Sequence, residues 1–241
     1  MTEKKPEVVG FIFARGGSKS IPRKNLALLG GETLLQHAIE TASASKWIQR
    51  VVVSTDDQEI AESALAGGAE VPFMRPKELA NDNSSEWKAW QHALLTLSVN
   101  ESFPKIDVFV SVPTTSPLRK HSDIDRCIDL LLNSNADIIV TATETNRHPS
   151  FNMINLDADE EVAELVIPTK NIVVNRQSVP TKIFDMTTVA YVSRPDYILR
   201  AKNIFEGTVR AAVIPPERAI DIDNPLDFEI AEFLYLKYRK K

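Results

Sequence analysis

A single cysteine, Cys127, among 241 residues excludes an internal disulfide, so a packed core has to hold this chain together. Cationic excess is missing too. The 28 Lys and Arg residues against 33 Asp and Glu give a formal charge of -5. That excludes a general polyanion binder and argues against a nucleic acid partner, so any anion site must be local. The N-terminal MTEKKPEVVG holds no apolar stretch long enough for export or for spanning a membrane, and a cytoplasmic protein with no membrane partner is expected. Internal repeats and low-complexity segments are absent. The apolar share of 43% and charged share of 25% are those of an ordinary globular chain. Its length suits one α/β domain, taken as residues 1–241, with room for a small subdomain.

What is present is an alternation of β-branched runs with amphipathic segments. Val8 to Ala14 (VVGFIFA) precedes Leu34, Leu35, Ala38 and Ile39 at helical spacing. VVVST (Val51 to Thr55) precedes DDQEIAESALAGG, with Asp56 as the expected N-cap and Gly67 and Gly68 closing the helix. VFVSV, SDIDRCIDLLL and ADIIVTATE continue the pattern. A mainly parallel central sheet covered by helices on both faces follows, a Rossmann-like α/β class, with ligands bound beyond the carboxyl ends of the strands. Residues 147–185 break the rhythm: FNMINLDADEEVAELVIP reads as a strand, an acidic turn and a strand, and the segment looks inserted. TTVAYVS and VRAAVIP return to strand character, and a final helix opens at Pro225.

Directly after the first strand, ARGGSKSIPRKN packs Arg15, Lys19, Arg23 and Lys24 around Gly16 and Gly17. Adjacent glycines let backbone N–H groups approach a phosphate, and the cations neutralise charge moving onto a leaving pyrophosphate. The loop fits neither the P-loop nor the dinucleotide fingerprint, which disfavours a P-loop NTPase or a dehydrogenase. A solvated basic loop is the bland alternative. Near the other end, A-I-D-I-D (Ala219 to Asp223) reads as a strand with Asp221 and Asp223 on one face and Ile222 turned to the core. Two such carboxylates suit Mg²⁺ (or Mn²⁺), which binds substrate phosphates alongside protein oxygens; two ordinary surface acids are the alternative. Asp227 reads as a first-turn helix acid. Trp87, Trp90 and Leu94 recur at helical spacing and belong to the core rather than to a stacked base. His37, His92 and His121 form no metal-spaced set, and Cys127 packs with Ile124, Ile128 and Leu131.

A-R-G-G-S-K-x-I-P-x-K-N resembles the opening signature of the acylneuraminate cytidylyltransferase family, also called CMP-N-acetylneuraminate synthetases. STDDQEIAE, GAEVPFMRPKELANDNSS, PTTSPLR and IDIDNPLDFEIAE resemble further family blocks in the same order, so the likeness covers nearly the whole chain. It implies a glycosyltransferase-A-like nucleotidyltransferase fold and transfer of CMP from CTP to a nine-carbon 2-keto acidic sugar: sialic, legionaminic, pseudaminic or deaminated neuraminic acid. Arg15, Lys24, Asp221 and Asp223 would be the catalytic set, with Asp221 and Asp223 holding the metal. Ala14, Gly16, Gly17, Ser18, Asn25, Arg75, Asn83, Ser84 and Thr114 would join Arg15 and Lys24 in binding the nucleotide, Asn25 on the α-phosphate or ribose side. Helix capping by Ser84 or Ser85 is the local alternative. Thr115, Ser116, Arg119, Arg147, Arg176 and Thr187 would face the sugar, with residues 147–185 forming a subdomain that pairs two protomers of a homodimer. Two departures from the family pattern stand out. Val112 to Pro117 replaces the usual Q-P-T-S-P, and Asp185 to Thr188 replaces R-P-N-G, so the acceptor contacts differ. A nucleotidyltransferase for another sugar and nucleotide, or a non-catalytic nucleotide-sugar binding module, are the rival readings.

Overall fold

The computed structural model describes residues 5–82, 84–157, 159, 162–168 and 181–239. The first β-branched run forms β1 (Val8–Phe13), whose alternate side chains serve two layers: Val8 and Ile12 point to one, Val9 and Phe11 to the other. The basic loop follows, then a hairpin of β2 (Leu28–Leu29) and β3 (Glu32–Thr33), then α1 (Leu34–Ser43). Thr33 caps α1 by accepting the Gln36 N–H at 3.0 Å. β4 (Arg50–Ser54), α2 (Gln58–Ala66), α3 (Glu86–Ser98), β5 (Val108–Ser111), α4 (His121–Leu132) and β6 (Ile138–Glu144) continue the alternation. A hairpin of β7 (Ile154–Leu156) and β8 (Ala163–Leu165) lies in the segment expected to be inserted, and its register pairs Ile154 with Leu165. β9 (Phe184–Ser193), α5 (Pro195–Arg200), β10 (Val209–Val213) and α6 (Pro225–Arg239) complete the chain.

The main sheet has the order β10-β6-β9-β5-β1-β4. β1 runs parallel to β4 and β5, and β10 parallel to β6, while β9 is antiparallel to both of its neighbours. Mainly parallel is therefore correct, with β9 as the inverted strand. α1, α2 and α4 bury Leu35, Ile39, Ile60, Ile124 and Ile128 against one face. α3 and α5 bury Trp87, Trp90, Leu94, Tyr197 and Ile198 against the other. Trp90 is 2% exposed, and the aromatic stripe is core as expected. Cys127 is fully buried, and burial pushes its thiol up to about 12, so it packs as a small hydrophobe. No helix among the described residues is long and apolar enough to cross a membrane.

Two local expectations change. The N-cap of α2 is Asp57, which accepts the Ile60 N–H at 3.0 Å, and Asp56 turns instead to the basic loop. The segment Ala219 to Asp223 joins no sheet, and Ala219 closes a short 3-10 turn rather than opening a strand. It is pinned at Ile222, whose N–H donates to Thr115 O at 2.8 Å and whose side chain is buried with Leu29, Leu34 and Ala231. The expected alternation survives without a ladder: Ile222 is fully buried, while Asp221 and Asp223 turn to the opposite side.

Candidate active site

A cavity of about 600 Å³ opens beyond the carboxyl ends of β1 and β5, and Arg15, Lys24, Asp221 and Asp223 all line it. The loop after β1 is held from three sides. Gly16 N–H donates to Asp56 Oδ1 at 3.0 Å; Asn25 Nδ2 donates to Arg15 O at 2.8 Å; Thr114 Oγ donates to Asn25 Oδ1 at 2.6 Å. Asn25 thus ties the basic loop to the loop after β5, and its side chain serves the protein first. Lys24 Nζ donates to Ile222 O at 2.8 Å, which brings the cationic loop and the acidic segment to one wall. Arg23 leaves the group: it sits at φ 56 and pairs with Asp57 and Glu59 on the outside of α2.

The two glycines differ in role. A Cβ on Gly16 would meet Asp57 Oδ2 at 2.7 Å and Asp57 Cβ at 2.9 Å, whereas one on Gly17 meets nothing within 4 Å. Gly16 is needed for close approach to the head of α2, and Gly17 lines the cavity. Ala14 is fully buried and neither it nor Gly16 lines the cavity; they position the loop rather than face a ligand.

Asp221 Oδ1 is buried without a hydrogen-bond partner among the described residues. Burial first, and then the charge of Asp221, hold the Asp223 carboxyl above its usual range, with Lys24 opposing. An orphaned carboxylate oxygen beside a second, repelled acid is a donor set that fits a hard cation. Asp227 is not part of it. Its Oδ2 accepts the Asp223 and Asn224 N–H groups while its own N–H donates to Asn224 Oδ1, a reciprocal cap at the start of α6.

The remaining wall runs from residue 75 to the head of α3. Arg75 is 6% exposed; its guanidinium holds Ser54 through Oγ and the carbonyl and lies over the Phe13 ring. Burial lowers its pKa to about 10. At the rim, Asp82 bridges Arg15 at 2.9 Å and Lys19 at 2.7 Å, and the Lys19 hydrogen bond leads in holding the Asp82 carboxyl below its usual range. Ser85, not Ser84, caps α3. Ser84 Oγ is a buried hydroxyl without a partner among the described residues, and the residue lines the cavity. Asn83 and Arg176 lie outside the described residues.

Several expected sugar contacts move. Thr187 is buried, its hydroxyl donating to Thr141 Oγ at 2.8 Å. An irregularity in the β6–β9 pairing turns its neighbour Thr188 to the cavity, where Thr188 Oγ meets Thr115 Oγ at 3.1 Å and Ser116 Oγ at 2.8 Å. Ser116 itself is fully buried. Arg119 does not reach the cavity: it is buried beneath the loop after β5 and donates to Pro113 O, and burial lowers its pKa to about 9. Arg147 is exposed in the loop after β6, away from the cavity lining. Glu32, His37 and Glu40 do bring possible ligand atoms within 4.8 Å of one another, a grouping that spacing does not reveal because Glu32 reaches it from β3. His37 is nevertheless structural, with Nε2 against Leu29 O at 2.8 Å and its ring edge-on to Tyr235. Glu86, absent from the sequence-derived set, lines the cavity from the first turn of α3.

A mainly parallel sheet with a cationic loop and paired acids meeting in one cavity at its carboxyl end defines a nucleotidyl-transferring enzyme. Residues 9–236 match the family model described as Cytidylyltransferase, and the chain belongs to that family. It is 32% identical over 95% of its length to post-translational flagellin modification protein B of Campylobacter coli, covering 94% of that protein. It is also 32% identical to CMP-N,N'-diacetyllegionaminic acid synthase of Campylobacter jejuni, covering 94% of it. Identity to the N-acylneuraminate cytidylyltransferase of Escherichia coli is 28%, over 51% of that longer protein. Among solved structures, a CMP:2-keto-3-deoxy-manno-octonic acid synthetase complexed with CTP has the same fold at TM-score 0.72 and 16% identity, with 96% of this chain and 99% of that one covered.

Proposed function

We propose that this cytidylyltransferase moves CMP from CTP onto a nine-carbon 2-keto acidic sugar and releases pyrophosphate, working as a cytoplasmic homodimer. The observation that carries the reading is that Arg15, Lys24, Asp221 and Asp223 share one cavity. Relatives whose names specify legionaminic and N-acylneuraminic acids support the acceptor class. The anomeric hydroxyl of the sugar attacks the α-phosphorus in line. Arg15 and Lys24 neutralise the charge that gathers on the β- and γ-phosphates, and the loop ties through Asn25 keep both cations in place before substrate arrives. Asp221 and Asp223 would hold Mg²⁺ (or Mn²⁺), which would supply orientation of the α-phosphate and screening of its charge. Ser84, Arg75 and Thr114 serve the nucleoside. Thr115 and Thr188 serve the acceptor in place of the glutamine and Arg-Pro-Asn-Gly residues of the family pattern, which favours a relative of N-acetylneuraminate as acceptor. Ile154, Leu156, Val162 and Ile167, all more than half exposed on the β7–β8 hairpin, support that hairpin as the dimer contact.

Pyrophosphate release measured for the four nucleoside triphosphates against a panel of sialic, legionaminic, pseudaminic and deaminated neuraminic acids tests this. Release with CTP and at least one of these sugars is expected. None with CTP overturns the reading, and Mg²⁺-independent triphosphate binding without turnover would favour a binding module.

A further inference from the structure

Cytidylyl transfer as proposed above leaves one proton unassigned, because the acceptor hydroxyl must lose it as its oxygen bonds to phosphorus. Among the described residues, the carboxylates lining the cavity are Asp82, Glu86, Asp221 and Asp223, and no histidine or cysteine joins them. Asp82 is engaged by Arg15 and Lys19 at the rim. Asp221 and Asp223 form the cation site. Glu86 is the carboxyl without an assigned task.

Its setting suits the vacancy in the chemistry. Glu86 Oε1 accepts the Trp90 Nε1–H at 3.1 Å, and Trp90 is 2% exposed, wedged against Trp87, Phe109 and Tyr191. A side chain hydrogen-bonded to an immobile indole is held in one place. Glu86 itself is exposed, and it lines both this cavity and a neighbouring one bounded by Trp87, Tyr191 and Phe205. Arg75 faces it from the loop after β4, Ser111 from the end of β5, Tyr191 from β9, and Asp221 from the acidic segment. The protein atoms packed around the carboxyl raise it above the usual range, and Asp221 pushes the same way; the Trp90 hydrogen bond and the Arg75 charge oppose. A carboxylate that binds protons more readily than a solvated one is better matched to accept a proton near neutral pH.

Resting on the cytidylyl-transfer reading, the geometry points to Glu86 as the general base of the reaction. Its carboxylate takes the acceptor hydroxyl's proton while that oxygen forms the bond to the α-phosphorus. The bond from that phosphorus to the bridging oxygen breaks, and its electron pair leaves with pyrophosphate.

Glu86→Gln keeps the shape and an acceptor for the Trp90 N–H. It is expected to lower kcat about 10²- to 10⁴-fold while the calorimetric Kd for CTP stays within about twofold. Glu86→Ala is expected to regain turnover with added formate, which supplies a carboxylate to the vacated space. A Glu86→Gln enzyme within about threefold of wild-type kcat, or a loss wholly explained by weaker CTP binding, overturns the inference. So does a Glu86→Ala enzyme that binds CTP but gains nothing from formate. Should Glu86→Gln fail to fold, Glu86→Ala with and without formate decides. If wild type itself releases no pyrophosphate, cytidylyl transfer fails, whereas active wild type beside an equally active Glu86→Gln sinks only the role of Glu86.

Discussion

Asp82 and Glu86 lie four residues apart on one wall of the cavity and are treated in opposite ways. Asp82 stands at the rim, 44% exposed, bonded to two cations that hold its carboxyl down. Glu86, itself exposed, turns its carboxyl toward the buried floor, where the Trp90 indole holds it, and it is pushed up. The difference separates two jobs in one cavity. The rim keeps its cations loosely paired, so a polyphosphate can take the place of Asp82 at little cost, since exposed ion pairs contribute little. At the floor, charge is dear, and the few groups there are fixed by buried partners such as Trp90 and Ser54.

At the rim, removing a cation gives the largest expected effect. Arg15→Ala should cost about 10²- to 10³-fold in pyrophosphate release, because a charge-neutralising donor to the leaving group is lost; near-normal activity would break the assignment of the rim to phosphate. The anchoring of that rim comes next. Gly16→Ala drives a Cβ to 2.7 Å from Asp57 Oδ2 and should destabilise by about 1–3 kcal/mol in denaturant unfolding. Gly17→Ala should stay within about 0.5 kcal/mol. Equal effects at the two glycines would dissolve the distinction drawn between them. Asp82→Asn should tighten CTP binding by about two- to fivefold in calorimetry at low salt, and less as salt rises. Weaker binding would mean that Asp82 helps hold the nucleotide instead of yielding to it.

The smallest effect is the sharpest contrast between rim and floor. Glu86 has a raised native pKa, so between its unfolded and native values the folded state holds the extra proton, and stability is lost as pH rises through that window. Asp82 has a lowered native pKa, so its contribution is present above the unfolded value and is lost as pH falls toward the native one. Against wild type, Glu86→Gln should therefore gain in Tm as pH rises, and Asp82→Asn should lose. Thermal melts across the acid range check the signs; parallel shifts would contradict the two environments.

Most of the architecture was legible because it rests on periodicity. Buried parallel strands read as continuous apolar runs, and helices repeat every three to four residues, as Ile124, Ile128 and Leu131 do in α4. Two errors within the site share a scale of one residue: Asp57 for Asp56 as the cap of α2, and Thr188 for Thr187 at the cavity. A one-residue shift in a strand or cap reverses which side chain faces a ligand, and a sequence holds that phase weakly where the pairing is irregular, as between Val140 and Thr141. Arg119 and Glu86 failed for another reason. An arginine ending a loop resembles an anion contact, and a glutamate opening a helix resembles a favourable dipole partner. Their roles come from residues distant in sequence: Pro113 is close to Arg119 along the chain, but Asp221 is not, and Glu86 meets Arg75, Ser111 and Tyr191 only in the folded molecule. The basic loop and the paired acids escaped this difficulty because each is a dense local motif.

Calorimetry of CTP binding with and without Mg²⁺, on wild type, Arg15→Ala and Asp221→Asn, tests most directly whether the two motifs grip one polyphosphate. Mg²⁺ should strengthen CTP binding to wild type, Arg15→Ala should weaken it with or without the metal, and Asp221→Asn should abolish the metal's contribution. CTP affinity unchanged by both substitutions would place the nucleotide elsewhere and contradict the account.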